Sequence, residues 1–95
     1  MKSTAQANPK NYEAFCNGLF LGAYEKLPKS IQDLATKNFE LLKSNPRHPS
    51  LHLKKVGKYW SVRIGLKYRT LGVEIDDGLL WFWIGTHAEY DKMVE

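Results

Sequence analysis

The stretch Tyr59-Trp60-Ser61-Val62-Arg63-Ile64 decides the fold, because it alternates from end to end. Successive side chains of an extended segment point to opposite faces. Trp60, Val62 and Ile64 therefore share one face, and Tyr59, Ser61 and Arg63 share the other. Such alternation predicts a strand with one side on a core and the other side freer. Upstream, Leu51-His52-Leu53-Lys54-Lys55-Val56 reads as a strand, with Gly57-Lys58 as the turn between the two. Downstream, Gly65-Leu66 reads as a turn, and Lys67-Tyr68-Arg69-Thr70-Leu71-Gly72-Val73-Glu74 alternates again with polar members on both faces. Asp76-Asp77-Gly78 is a hairpin signal, since glycine admits the positive φ of a tight turn. Leu79-Leu80-Trp81-Phe82-Trp83-Ile84 is apolar on both faces, as expected of a central strand, with Leu79, Trp81 and Trp83 predicted on one side. Gly85-Thr86-His87-Ala88-Glu89-Tyr90 then leaves the sheet and opens a short helix.

Before the sheet the period is helical. Tyr12, Phe15, Cys16, Leu19, Phe20, Ala23 and Leu27 fall at steps of three and four, which predicts one amphipathic helix with Cys16 packed in the core. Gly18 and Gly22 weaken that helix, and its middle has the alternative of a short strand. After a Leu27-Pro28 corner, Ile31, Leu34, Ala35, Asn38, Phe39, Leu41 and Leu42 continue the spacing, and Ser44-Asn45-Pro46 ends it. The expected fold is α+β: an N-terminal helical hairpin packed on a curved, three- to four-stranded antiparallel sheet. Residues 1–10 are polar and aperiodic and are expected to form a flexible tail; residues 11–95 are expected to form a single domain.

A chain of 95 residues has room for one compact core. No apolar run approaches the roughly 18 residues of a membrane span, so no membrane association is expected. One cysteine excludes an internal disulfide framework and, with no secretory signal, points to the cytoplasm. Residues 1–40 carry five basic and four acidic side chains, whereas residues 41–73 carry eight basic side chains and no acid. Residues 74–95 reverse the balance, with six acids against Lys92. A chain polarised in this way offers a polyanion one face; the plainer reading is that lysines on edge strands deter aggregation.

Several chemistries drop out. One cysteine and three scattered histidines make no zinc pattern, and Asp76-Asp77-Gly78 lacks the spaced ligands of a calcium loop. Neither a phosphate-binding glycine loop nor a nucleophile elbow is present, and no metal or other cofactor is expected. The basic strands remain. Lys54, Arg63, Lys67 and Arg69 come from segments that should be neighbours, and Tyr59 or Tyr68 between basic residues gives a surface able to hold a phosphate chain and stack a base. Lys55 and Lys58 add charge nearby. Of Lys54 and Lys55, which alternate in facing, Lys54 is expected beside Arg63. His87 lies just past the last strand and is the residue type that exchanges protons near neutrality; Tyr90 follows it. Each has a plainer role: an ion pair for Arg63, a strand-end cap for His87, ring packing for Tyr90.

The order Asn45-Pro46-Arg47-His48-Pro49-Ser50-Leu51-His52-Leu53-Lys54-Lys55-Val56, then Tyr59-Trp60-Ser61-Val62-Arg63-Ile64-Gly65 with Tyr68-Arg69, then Trp81-Phe82-Trp83-Ile84-Gly85-Thr86-His87-Ala88-Glu89-Tyr90-Asp91, resembles the RelE/ParE toxin superfamily. The resemblance covers roughly residues 24–93. It implies a toxin of a type II toxin–antitoxin system, with a cognate antitoxin protein as partner. RelE-like members are mRNA interferases that enter the ribosomal A site and cut mRNA; ParE-like members act on DNA gyrase. By position, Lys54 and Arg63 match the basic strand residues of the RelE-like pattern. His87 and Tyr90 fall where that pattern places catalytic groups. Lys54, Arg63, His87 and Tyr90 are thus the implied catalytic residues of a metal-independent endoribonuclease; Tyr68 and Arg69, which match a recurrent pair of the family, join Lys55, Lys58 and Lys67 of the basic stretch as the expected RNA-binding residues. The alternative is a non-enzymatic, toxin-like binding protein, such as a gyrase inhibitor, or an inactive relative. The chain departs from the pattern in two ways: the superfamily's first strand is not evident in the Tyr12 to Leu27 stripe, and no second arginine ends the last strand.

Overall fold

The computed structural model describes residues 12–94; the expected tail at 1–10 lies outside them. The elements run β1 (Ala14–Cys16), α1 (Gly18–Glu25), α2 (Lys29–Ser44), a 3₁₀ turn (Pro49–Leu51), β2 (Lys54–Val56), β3 (Tyr59–Ile64), β4 (Tyr68–Ile75), β5 (Gly78–Thr86) and α3 (His87–Val94). The strands form one five-stranded sheet in the order β1-β5-β4-β3-β2. β2 to β5 pair antiparallel, whereas β1 joins the free edge of β5 in parallel. The α+β arrangement of helices on a largely antiparallel sheet is the one the alternation predicts.

The helices α1 and α2 cover one face. Trp60, Val62 and Ile64 of β3 meet Leu79, Trp81 and Ile84 of β5 there, under Phe20, Ala35 and Leu42 of the helices. Phe39 stacks obliquely on Trp81, with 5.2 Å between ring centres. The buried Asn38 amide donates to the Arg63 carbonyl at 2.9 Å and so pins α2 to β3. Gln32 ties the interhelical corner, donating to the carbonyls of Tyr24 and Leu27.

Three segments differ from the sequence expectation. The Tyr12 to Leu27 stripe is not one helix. Its first part is β1, and Asn17 then starts α1 by accepting the Phe20 N–H at 3.0 Å, an N-cap that separates the two. Cys16, expected in the core, is exposed, because it lies on this edge strand. In the Leu51 to Val56 segment, Pro49 opens a 3₁₀ turn and His52 takes a left-handed conformation, so the strand begins only at Lys54. In β5 the register slips by one residue opposite Leu71/Gly72, so that Trp83 pairs with Leu71 and Trp81 with Gly72. Trp81 therefore stays in the core with Leu79, while Trp83 turns to the other face. A β-carbon at Gly72 would lie 2.6 Å from the Trp81 ring, so the indole takes the space that this glycine leaves open.

Candidate functional site

The register places the basic residues. Lys54 pairs with Ser61, and Arg63 pairs with Arg69. Because Ser61 and Arg63 are two apart on one strand, Lys54, Ser61, Arg63 and Arg69 all project from the face opposite α1 and α2. Helix α3 crosses this face and sets Tyr90 onto it. The Arg69 guanidinium lies 5.1 Å from the Tyr90 ring centre and Lys54 Nζ lies 5.7 Å from it, so two cations lie against one aromatic ring.

Arg69 is only 4% exposed. Its Nε donates to Ser61 Oγ at 2.9 Å and its Nη2 to the His52 carbonyl at 3.1 Å. Burial, reinforced by the neighbouring charge of Arg63, pushes the Arg69 guanidinium below its ordinary range, while the Tyr90 phenol opposes the shift. An arginine keeps its proton even so. Arg63 is half-buried, and its Nη1 reaches His52 Nε2 at 3.0 Å. The Tyr90 hydroxyl is buried and makes no hydrogen bond of good geometry, although it lies near enough to Arg69 to act on its charge.

Thr86 and Glu89 fasten the start of α3. The Glu89 carboxylate accepts the Thr86 N–H at 2.9 Å and hydroxyl at 3.0 Å, and the Glu89 N–H donates to the Thr86 hydroxyl at 3.1 Å. This reciprocal capping box holds the Glu89 carboxyl below the usual carboxylate range. His87, the first residue of the helix, is exposed, and its Nδ1 lies 3.2 Å from Asp91 Oδ2. Its ring stands 5.8 Å from that of Tyr90. Tyr90 thus bridges the cations and the histidine.

Of the sequence candidates, the structure brings Lys54, Arg63, Arg69, His87 and Tyr90 together. The others lie apart from them. Lys55 pairs with Trp60 and rests over that ring, 5.7 Å away, on the helix side. Tyr68, paired with Ile64, packs against the core on the same side. Lys58 lies at the β2–β3 turn over Tyr59, and Lys67 in the β3–β4 turn, where its carbonyl accepts the His87 N–H. Two neighbours of the site were not singled out from sequence: His52 and Ser61, which hold the two arginines. Alternation places Ser61 on the Arg63 face, but nothing in the sequence marks a left-handed histidine. Among the described residues no group of three or more His, Cys, Asp or Glu is arranged to hold a metal ion. No helix among them is long and apolar enough to cross a membrane.

Comparison with known structures finds the same architecture. A chain of the RelB–RelE antitoxin–toxin complex of Methanococcus jannaschii matches with a TM-score of 0.62 at 16% identity, over 85% of this chain and 99% of that one. YafQ from E. coli gives 0.62 at 16% identity, over 81% and 94%. The isolated RelE toxin of E. coli gives 0.59 at 16% identity, over 88% and 99%. At that identity these likenesses establish the fold alone. No curated protein sequence matches significantly. A family profile for a ParE-like toxin domain matches residues 29–92, from the first residue of α2 into α3, and this span includes every side chain of the cluster just described. The chain therefore belongs to the ParE-like toxin family, within the RelE/ParE superfamily.

Proposed function

We propose that this toxin-like protein is a ribosome-dependent mRNA endoribonuclease of a type II toxin–antitoxin system, acting in the cytoplasm and held in check by a cognate antitoxin. The observation that carries this reading is the gathering of Lys54, Arg63 and Arg69 on the face that α1 and α2 leave uncovered. RNA can be cut without a metal when the ribose 2′-OH attacks the adjacent phosphorus. The P–O5′ bond breaks, leaving a 2′,3′-cyclic phosphate and a 5′-OH. A base must take the 2′-OH proton, cations must stabilise the pentavalent phosphorane, and an acid must protonate the leaving oxygen.

Arg63 and Lys54 hold the phosphorane oxygens, the guanidinium gripping two at once. His87, oriented through Nδ1 by Asp91, keeps Nε2 for one proton transfer. Lys54 supplies the other. Tyr90, buried as it stands, sets the positions of Arg69 and Lys54 beneath the substrate. Lys58 and Lys67 extend the positive field along the RNA. The proposed antitoxin meets the same face with acidic side chains.

Arg63→Ala and His87→Ala should each lower cleavage of programmed ribosomes about 10²–10³-fold. Full cleavage by both variants refutes the assignment. One feature, the match to a ParE-like toxin domain over residues 29–92, favours the second reading, a non-enzymatic binding protein directed at DNA gyrase. DNA damage with intact transcripts after induction decides for it, and 5′ ends mapping to A-site codons decide for the nuclease.

A further inference from the structure

The basic surface continues past Arg63. Its Nη1 lies 3.0 and 3.5 Å from the two nitrogens of the His52 ring, so the guanidinium rests against that ring. The same histidine lines a shallow cleft of about 290 Å³ with Pro46, Arg47, His48, Pro49 and Leu53. The cleft therefore opens beside the arginine proposed to hold the reacting phosphate. No Asp or Glu lines it, and none occurs in residues 41–73. Arg47 is exposed and joins no ion pair among the described residues. The loop is also rigid. Pro46 and Pro49 each fix a φ, the His48 N–H donates to the Asn45 carbonyl at 3.0 Å, and the buried Leu51 donates its N–H to the His48 carbonyl at 3.1 Å. The His48 ring is held as well: Nδ1 accepts the Ser50 N–H at 3.2 Å and lies 2.9 Å from the Ser50 hydroxyl. With Nδ1 an acceptor, the proton of the neutral ring sits on Nε2. His48 thus presents an N–H donor beside the Arg47 guanidinium.

We propose that Arg47 and His48 form a second phosphate subsite, which takes the phosphodiester next to the one held by Arg63 and Lys54 in the same RNA strand. The inference rests on the nuclease reading for its substrate, but binding here needs no cutting. The Arg47 guanidinium grips two non-bridging oxygens, and His48 Nε2–H donates to one of them. Donors already fixed by the two prolines and by Ser50 lose little freedom on binding. The neighbouring phosphate keeps its charge and shape while the 2′-OH attacks its neighbour. The subsite therefore binds ground state and transition state alike, lowering KM and leaving kcat as it is.

The test uses the full chain and a short single-stranded RNA with a 2′-deoxyribose at the cut position, which binds without being cleaved. Arg47→Gln should weaken binding about 5- to 20-fold and flatten the slope of log affinity against log salt by about 0.7. Lys37→Gln, which removes one charge from α2, should change neither. His48→Asn keeps an acceptor for the Ser50 N–H but loses the Nε2 donor, and should weaken binding about 3-fold with the slope unchanged. A neutral methylphosphonate is then placed next to the cut position, first on one side and then on the other. In one placement the wild type and Arg47→Gln should bind equally. A salt slope that Arg47→Gln leaves unchanged would overturn the subsite, as would an equal loss with the native and both neutralised RNAs. On programmed ribosomes Arg47→Gln should raise KM about 5- to 20-fold at unchanged kcat. The methylphosphonate message should abolish that penalty; a penalty that persists assigns Arg47 to ribosomal RNA and rejects the subsite. A wild type that binds RNA with this dependence on Arg47 but cuts none refutes the nuclease reading and leaves the phosphate subsite standing.

Discussion

The face of the sheet under α1 and α2 buries Trp60, Val62, Ile64, Trp81 and Ile84 among helix side chains. The opposite face carries Ser61, Arg63 and Arg69 beneath a single eight-residue helix, anchored there by Tyr90. The first face is held by apolar area removed from water. The second buries Leu71 and the Tyr90 ring and adds hydrogen bonds, cation–ring contacts and a helix cap, each of those polar contacts worth less than a buried large side chain. The same three strands therefore serve two ends: one side supplies the stability that lets the other keep like charges together.

Substitutions on the two sides should separate accordingly. Trp81→Ala, which empties the middle of the helix side, should cost about 3–5 kcal/mol in urea unfolding. A loss below 1 kcal/mol would mean that this side is not the main source of stability. Thr86→Ala removes one half of the α3 capping box and should cost about 1 kcal/mol, confined to residues 87–94 in hydrogen exchange. Acid should act in the same direction. The folded Glu89 carboxyl titrates below its unfolded range, so its cap is complete above that range and fades as pH falls through the depressed folded value. Amides of 87–94 should then exchange faster while those of β3 stay protected; simultaneous loss would show that both faces melt as one unit. The smallest effect is expected from Arg63→Ala, within about 0.5 kcal/mol of wild type in thermal unfolding, because it also removes the repulsion from Arg69. A loss of 2 kcal/mol would make Arg63 part of the scaffold.

What could be read from the sequence follows the same division. Alternation in Tyr59-Trp60-Ser61-Val62-Arg63-Ile64 is a local signal, so the strand, its two faces and the outward Arg63 were all visible. The hairpin at Asp76-Asp77-Gly78 and the helix Lys29–Ser44 were equally local. β1 was not, since three residues carry no period and their partner strand lies at the far end of the chain. The Trp83 face depended on a one-residue slip that apolar residues on both sides conceal. In the site, Lys54 beside Arg63 was legible from alternation, whereas the burial of Arg69 under Tyr90 needed α3 to fold back across the sheet. His52 was hidden because its left-handed conformation, just past the 3₁₀ turn Pro49–Leu51, leaves no periodic mark in the sequence.

The parallel union of β1 with β5 fixes an order of events during synthesis. Ala14–Cys16 leaves the ribosome before α1, α2 and β2 to β4, yet its hydrogen-bonding partners Leu79, Leu80 and Trp81 emerge only after all of them. Until they do, Phe20 and Phe39 have no Trp81 to close over. A nascent chain stalled before residue 79 therefore lacks the indole at the middle of its core, so the protein reaches its finished shape only as translation of the domain ends.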